Sequence, residues 1–559
     1  MSRVAGGRPG APPPAPAPGE SQPEPLPPAG GGRPSGAASI TAGNLASRVT
    51  GFLRVLAVGA VLGTTFAGNT YQSANLVSNI LFELLAAGLL SSVLVPPFVR
   101  LLDGGDREGA ERLGGAVLGV ALVALGAVTA LGLVARPAIM RLLTVEVADP
   151  GVRDQEVALG SFLLVLFLPQ VLLYAVGAVA TGLLHGNRRF AAPAFAPVAN
   201  NVIVMATMAL FWVVRGTGPG LDLSAGERLL LGGGTTAGVL AMTLVPIVAL
   251  WRTGVRLRPR WDLAVPGLRR LGRDGLWAAG MVALSQVLLV TTLVLANRVE
   301  GGVVAYHIAF QLFLLPFALL AHPVVTALYP PLASAAGARR WPQFAGVLRR
   351  GSALLAFLIL PATALAVVLA GPALRLLRVG ALDAAGAQLV ARLLAAYAVG
   401  LLGYGAFQFF VRAFYAAGDT RTPTLVALAV AAGGSLVMVV GYAWGSGDGR
   451  LVAVGYGHSV AFLAGAAGLA FVLRRRIRER WPVGSSLARS LACAVLAAAG
   501  AAVLVAVLPG SSRLGAALEL ALAGGVGAVL YVAAQRWLRA SELLDLRRGG
   551  ASLTEGGPG

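Results

Sequence analysis

Long apolar runs recur from about residue 40 to residue 537 of this chain, and they constrain its fold more than any motif. A run of roughly 18 or more such residues is what a helix rising 1.5 Å per residue needs to cross a bilayer. Lipid offers backbone N–H and C=O groups no partner, so chains of this kind fold as helix bundles or closed barrels. A barrel strand would be about ten residues of alternating polarity, and these runs do not alternate. The expected fold is therefore an all-α polytopic membrane protein with about fourteen transmembrane helices. They fall at 40–63, 71–101, 113–136, 156–184, 191–214, 229–251, 275–297, 302–335, 351–377, 388–415, 423–445, 451–473, 485–508 and 514–537. Hydrophobic residues make up 57% of the 559 and charged ones 12%, with a mean hydropathy of +0.77. No soluble globular domain has this balance.

The net charge of +20 comes entirely from arginine, since the chain contains no lysine. The arginines sit in short loops between apolar runs. Arg252, Arg256, Arg258 and Arg260 follow segment 6, Arg339 and Arg340 follow segment 8, and Arg474, Arg475 and Arg476 follow segment 12. Positive loops mark the cytoplasmic side, which puts both termini in the cytoplasm. The loops after segments 3 and 9 carry arginines against this bias. A scattered charge of this kind excludes a nucleic-acid face.

Residues 1–38 are Pro, Gly and Ala with few bulky apolar groups, and are expected to be a disordered cytoplasmic tail. The expected organisation is then a first lobe over 39–252 (helices 1–6), a second over 253–473 (helices 7–12), helices 13 and 14 over 474–540, and a cytoplasmic tail over 541–559. One cysteine, Cys493, and four scattered histidines make neither a disulfide framework nor a metal site. No nucleophile–base pair or phosphate-cradling Gly-Lys loop is present, so neither catalysis nor a cofactor is expected.

What the chain does should be written in the polar residues inside its apolar runs. Arg48 and Arg54 lie in segment 1, where a central charge costs about 2.5–3.5 kcal/mol. Six residues separate them, about 9 Å along the axis and about 120° around it, so both can border one cavity only at its edges. Arginine keeps its charge and offers a planar fork suited to phosphate oxygens. The expected ligand is a buried anion. On segment 2, Asn75, Asn79 and Glu83 recur at i, i+4 and i+8 as a polar stripe, and Glu83 is expected to pair with Arg48 or Arg54. Segment 8 carries His307 and Gln311 on one face, followed by Pro316 and His322-Pro323, where a kink or break is expected. Arg412, near the end of segment 10, reads as an interfacial anchor.

A weak internal repeat suggests two lobes. Tyr174 precedes Pro193 by nineteen residues after segment 4, and Tyr404 precedes Pro423 by nineteen after segment 10, each with a glycine and basic residues between. Parallel repeats around a midplane site are a common transporter plan.

The stretch Ser47-Arg48-Val49-Thr50-Gly51-Phe52-Leu53-Arg54 resembles the opening of the MurJ/MviN lipid II flippases. Asn79-Ile80-Leu81, Ala87-Gly88-Leu89-Leu90-Ser91, Asn187-Arg188-Arg189-Phe190 and Asp419-Thr420-Arg421-Thr422-Pro423 are similar to later stretches of that family. The resemblance covers about residues 40–540. It implies a bacterial plasma-membrane flippase of the MOP/MATE-like exporter fold, carrying lipid-linked peptidoglycan precursor (lipid II) from the inner to the outer leaflet through a cationic central cavity. Cell-wall synthesis proteins would be its further partners, besides membrane lipids. Arg48 and Arg54 match the family's two cavity arginines of the first helix. Two further family arginines are replaced here, by Phe82 in segment 2 and by Gln311 in segment 8. Asn69 stands where many members have Asp, and the sodium-binding carboxylates of some members have no counterpart in segments 7 or 11. Glu83-Leu84-Leu85 with Gln311 is closer to actinobacterial members. The expected substrate-binding residues are Arg48, Arg54, Asn79, Glu83 and Gln311. Alternatives are a flippase for another polyprenyl-diphosphate-linked glycan, or a multidrug antiporter of the related fold, which would need an acidic residue at mid-membrane in the first lobe.

Overall fold

The computed structural model describes residues 34–89, 95–262, 282–283, 286–508, 510 and 512–543. The first half runs through α1 (Pro34–Leu62), α2 (Phe66–Leu89), α3 (Val95–Asp103), α4 (Arg107–Leu143), α5 (Pro150–Phe167), α6 (Gln170–Gly186), α7 (Ala191–Arg215) and α8 (Ala225–Trp251). The second opens with α9 (Gln286–Asn297). It continues through α10 (Gly302–Pro316), α11 (His322–Gly337), α12 (Trp341–Leu376), α13 (Ala384–Val399), α14 (Leu401–Ala416), α15 (Arg421–Trp444) and α16 (Gly449–Ile477). Finally α17 (Gly484–Val507) and α18 (Arg513–Trp537) pack on each other and on α12.

Among the described residues, eleven helices or continuous helix runs are long and apolar enough to span a membrane, and the bent pair α13–α14 makes up to twelve. The fourteen expected segments exceed this count at two places. Segment 2 is helical as α2, but its polar stripe keeps it out of the apolar set. Segment 7 lies within the described residues only over its last part, α9. Residues 1–33 of the expected tail and 544–559 of the other lie outside the described residues, as do Arg269 and Arg270. Residues 34–38, assigned to the tail, instead open α1.

The kink or break expected in segment 8 takes the form of a local distortion. The prolines of segment 8 do not break it. The chain widens into one π-helical turn over Phe317–Ala321 and continues as α11, with Pro323 in its first turn, where a missing N–H is harmless. The sharp bend falls elsewhere, at Gly400 between α13 and α14, and measures 44°.

The two stretches of the expected repeat end their helices in the same kind of turn, one that α3, α11 and α18 also use. After α6, the Asn187, Arg188 and Arg189 N–H groups donate to the carbonyls of Leu183, His185 and Leu184. After α14, the Ala417, Gly418 and Asp419 N–H groups donate to those of Ala413, Tyr415 and Phe414. Arg188 and Gly418 occupy the same place in these turns, both with positive φ (56° and 75°). Helices that end on such a residue satisfy their last carbonyls by this turn. In the second stretch Asp419 caps α15 through the Thr422 N–H (3.0 Å) and Thr422 Oγ1 (2.6 Å), and pairs with Arg476 at the end of α16.

Burial works to raise the Asp419 carboxyl, but the Thr422 hydrogen bonds and the Arg476 charge outweigh it and hold it below the usual carboxylate range. A lowered folded value adds stability at pH above the unfolded value, roughly 3.9, and that stability is lost as pH falls through the folded value. Asp419→Asn is therefore expected to lower Tm at pH 7, with the gap to the parent narrowing below about pH 4. Melting curves of both proteins across pH check this.

The halves meet along α2, which packs on α10. Asn69 Nδ2 donates to the Val299 carbonyl (2.8 Å), and its Oδ1 accepts from the Val303 N–H (2.9 Å). Ser73 and Asn297 bond one another, and further along Gln286 Nε2 donates to Glu83 (2.7 Å). At the Asn69 end the seam is sealed by backbone: the Ala381 N–H donates to the Ala60 carbonyl (2.7 Å), and Arg298 pairs with Glu146. Gly301 (φ 71°) and Gly380 (φ 60°) admit this approach, because a Cβ on either would run into Thr64 or Ala60.

Candidate functional site

A cavity of about 280 Å³ lies inside the first half, walled by α1, α2, α6, α7 and α8. Helical geometry decides which α1 side chains reach it. Ser47, Gly51 and Arg54 all line it, and they fall within about 80° of one another at 100° per residue. Arg48 is about 120° away from Arg54, outside that arc, and is exposed. The two arginines therefore do not edge one pocket. Arg48 faces the gap between the halves instead, where its charge and that of Arg412 act on His322 of α11.

Arg54 is half-buried and has neither a hydrogen bond nor an ion pair among the described residues. Its charge acts on Tyr71 and Tyr174 in its own half and on His307 across the seam. An unpaired guanidinium in a water-poor wall is costly unless an anion completes it. The walls around it are polar as well. Asn75 and Tyr174 are more than nine-tenths buried, line the cavity, and make no hydrogen bond among the described residues. Their polar atoms are open to the cavity and can bond what enters it, and Asn200 Oδ1, also in the wall, is buried without a hydrogen-bond partner, which buried polar atoms rarely are. Tyr174 is held in place by Phe82, ring to ring at 4.3 Å. Asn201 is fixed by donating to Thr50 Oγ1 (3.0 Å) and the Ser47 carbonyl, and Thr235 bonds the Tyr71 hydroxyl (2.8 Å).

Of the five expected site residues, the cavity brings together Arg54 and Asn79. Glu83 does not pair with either arginine. The i+8 position is rotated about 80° from Asn75, which turns Glu83 out of the cavity toward α9, where Gln286 holds it. Its charge also acts on Tyr306 and Tyr404 of the second half. Gln311 is half-buried on α10 and is not part of this wall. Sequence reasoning passed over Tyr174, Asn200, Asn201 and Thr235 as site residues, because only the packing of α7 on α1, and of α8 on α6 and α7, places them here. Their one signal in the sequence was a cluster of amides, Asn200-Asn201, inside an apolar helix. Among the described residues no group of three or more metal-ligating side chains occurs.

A family model described as "Lipid II flippase MurJ" matches residues 58–519, a span that begins just after Arg54. A protein of Rhizobium meliloti described as a probable lipid II flippase MurJ is 29% identical over 412 residues, covering 72% of this chain and 74% of its own. One of Burkholderia cenocepacia, described as lipid II flippase MurJ, is 26% identical over 393 residues, with 69% and 74% covered. Among solved structures, a lipid II flippase MurJ in an inward closed conformation superposes with TM-score 0.72 at 17% identity, over 89% of this chain and 98% of that one. An inward-facing multidrug resistance MATE transporter of the MOP superfamily gives 0.61 at 16%, over 78% and 94%.

Proposed function

The chain belongs to the MurJ family of lipid II flippases, and we propose that its first-half cavity, with Arg54 at the wall, receives the diphosphate of the lipid-linked precursor during transfer from the inner to the outer leaflet. One observation carries this reading: among the described residues, a guanidinium without a hydrogen bond or ion pair shares a walled space with Asn75, Tyr174 and the unpartnered Oδ1 of Asn200. A diphosphate supplies the missing anion, and its oxygens match the planar fork of arginine. Asn75, Asn79 and Tyr174 add neutral partners for bridging oxygens or the first sugar.

Arg48 and Arg412 act earlier. Exposed in the gap between the halves, Arg48 attracts the headgroup, and Arg54 lies about 9 Å further along the same helix. The bias of loop arginines supports cytoplasmic termini, and on that reading the Asn69 end of the seam is the exterior gate and the Arg48 end the cytoplasmic mouth. With the exterior gate closed, the headgroup enters from inside. Movement of one half against the other then opens the seam outward, the alternating-access scheme of repeat-built transporters. The polyprenyl tail stays in lipid throughout. Proteins of cell-wall synthesis that use lipid II on the outer face are its natural partners.

The test is made in cells depleted of their own flippase and supplied with this chain. Lipid II accessible at the outer leaflet is expected to return to the level of undepleted cells. Accumulation of lipid II at the inner leaflet despite normal expression would refute the reading. A smaller effect is expected at the wall: Asn75→Ala should weaken lipid II binding about tenfold, the cost of roughly one hydrogen bond to a charged group, measured by titration of purified protein.

A further inference from the structure

Glu156 is a carboxyl that this transport scheme leaves unused. It lies on the second turn of α5, about 10 Å from the Asp149 cap at the sealed end, and is fully buried (0% exposed). Its Oε1 is 3.1 Å from Thr70 Oγ1 on α2, and its Oε2 has no hydrogen-bond partner. No cation pairs with it among the described residues.

The charged and titratable groups of the helices packed around it are engaged elsewhere. On α2, Tyr71 bonds Thr235 and Glu83 holds Gln286. On α4, Arg136 donates to the Leu133 carbonyl and Arg141 is exposed. On α6, Tyr174 lies in the cavity wall and His185 stacks on Phe190. On α8, Glu227 caps its own helix beside Arg215, and Arg228 donates to the Leu223 carbonyl. On α5 itself, Asp154 is exposed and Arg153 half-buried in the first turn. At the sealed end, Glu146 and Arg298 pair with each other.

An ionised carboxylate in such surroundings loses several kcal/mol of hydration with nothing to replace it. The neutral acid does not, and the hydrogen bonding suits the acid. Thr70 Oγ1 is also 2.8 Å from the Phe66 carbonyl, and a hydroxyl has only one hydrogen to give. With that hydrogen on Phe66, a proton on Glu156 holds the contact to Thr70. Thr70 is next to Asn69 and one turn from Ser73, the two α2 residues that bond across the seam. Any movement of α2 that parts the halves also parts Thr70 from Glu156.

We propose that Glu156 is a proton-binding site of the transport cycle, protonated while the seam is sealed and ionised when the seam opens and admits water. The step is a simple dissociation: the carboxyl O–H bond breaks, the electron pair stays on the carboxylate, and the proton passes to the entering water. Protonation closes the gate and its loss favours opening. The purpose of this coupling rests on the flippase reading above; the coupling itself does not.

The experiment follows the gate directly. Thr217 and Ser446, exposed in the first- and second-half loops at the sealed end, are changed to cysteine in a Cys493→Ser background and spin-labelled. Distances are then recorded in nanodiscs from pH 5.5 to 8.5. The open population is expected to rise at least tenfold across this range in the parent and to stay low throughout in Glu156→Gln, which mimics the neutral acid in shape. Infrared difference spectra of the parent are expected to lose a protonated-carboxyl band over the same range, a readout that needs no folded variant. A parent that ignores pH, a Glu156→Gln protein that responds like the parent, or a response that vanishes when choline replaces sodium would each overturn the proposal. Lipid II titration of the same samples separates the two readings. Arg54-dependent binding with no pH response sinks the proton site alone, whereas a pH response without lipid II binding upholds it and sinks the flippase site.

Discussion

Replacing Arg54 by alanine is expected to abolish rescue of flippase-depleted cells and to weaken lipid II binding by roughly two orders of magnitude. The reasoning is local. Among the described residues Arg54 has no partner to leave stranded, so its loss removes the ligand contact without creating a buried unpaired carboxylate there. Fold stability should therefore be unchanged or slightly improved, which separates this effect from unfolding. A hydrogen bond to a charged group is worth about 1.5–3 kcal/mol, and a forked pair to a diphosphate about 3 kcal/mol or more; each 1.4 kcal/mol is about tenfold in affinity. Arg54→Lys keeps the charge and loses the fork, so it should bind at an intermediate level. Arg48→Ala supplies the contrast. Its side chain is exposed in the gap, where salt screens a charge over about 8–10 Å. Its removal should slow capture and reduce the salt dependence of binding, with a loss nearer tenfold. Titrations of lipid II at two salt concentrations distinguish the two arginines, and equal losses at both positions would argue against the cavity assignment.

That contrast also marks how far the sequence could be read. Apolar runs are legible because crossing a membrane needs length and little else, and each expected segment coincides with a described helix in whole or in part. The spacing around Tyr174 and Tyr404 was legible, and both stretches end a helix in the same left-handed turn, but α3, α11 and α18 end in that turn too, so it does not mark a repeat. What spacing could not supply was rotation. Arg48 and Arg54 are 120° apart in any helix, but only the packing of α7 on α1 decides which of them meets the pocket. Glu83 shows the same gap: a stripe at i, i+4 and i+8 drifts about 40° per step, enough to carry its last member onto the other half. Glu156 was hidden for another reason. At the start of a segment, two residues after Asp154, it reads as a helix-opening acid in water, and only the depth of α5 against α2 reveals it as buried.

Asn69→Ala is expected to unseal the closed end of the seam. Asn69 is completely buried and joins the halves by two hydrogen bonds, as donor to Val299 and acceptor from Val303. Alanine leaves the Val303 N–H unpaired in the seam, at about 1–3 kcal/mol, while the Val299 carbonyl keeps the Gly302 N–H. This cost falls on the closed state alone, because in the parted state water reaches that group. A penalty of about 2 kcal/mol shifts the closed-to-open ratio by roughly thirtyfold. Amide exchange of the peptide spanning residues 298–306 should speed up by a similar factor, while that of α17 and α18, remote from the seam, should not change. Asn69→Asp tests the direction of each bond. It keeps the acceptor for the Val303 N–H but sets a second oxygen against the Val299 carbonyl, so its exchange should be at least as fast as that of alanine unless the carboxyl takes up a proton to restore the donor. Exchange that slows again at low pH in Asn69→Asp, and not in Asn69→Ala, would place that restored donor in the seam itself. Unchanged exchange in both variants would mean that the Ala60–Ala381 backbone bond and the Glu146–Arg298 pair hold the gate without Asn69.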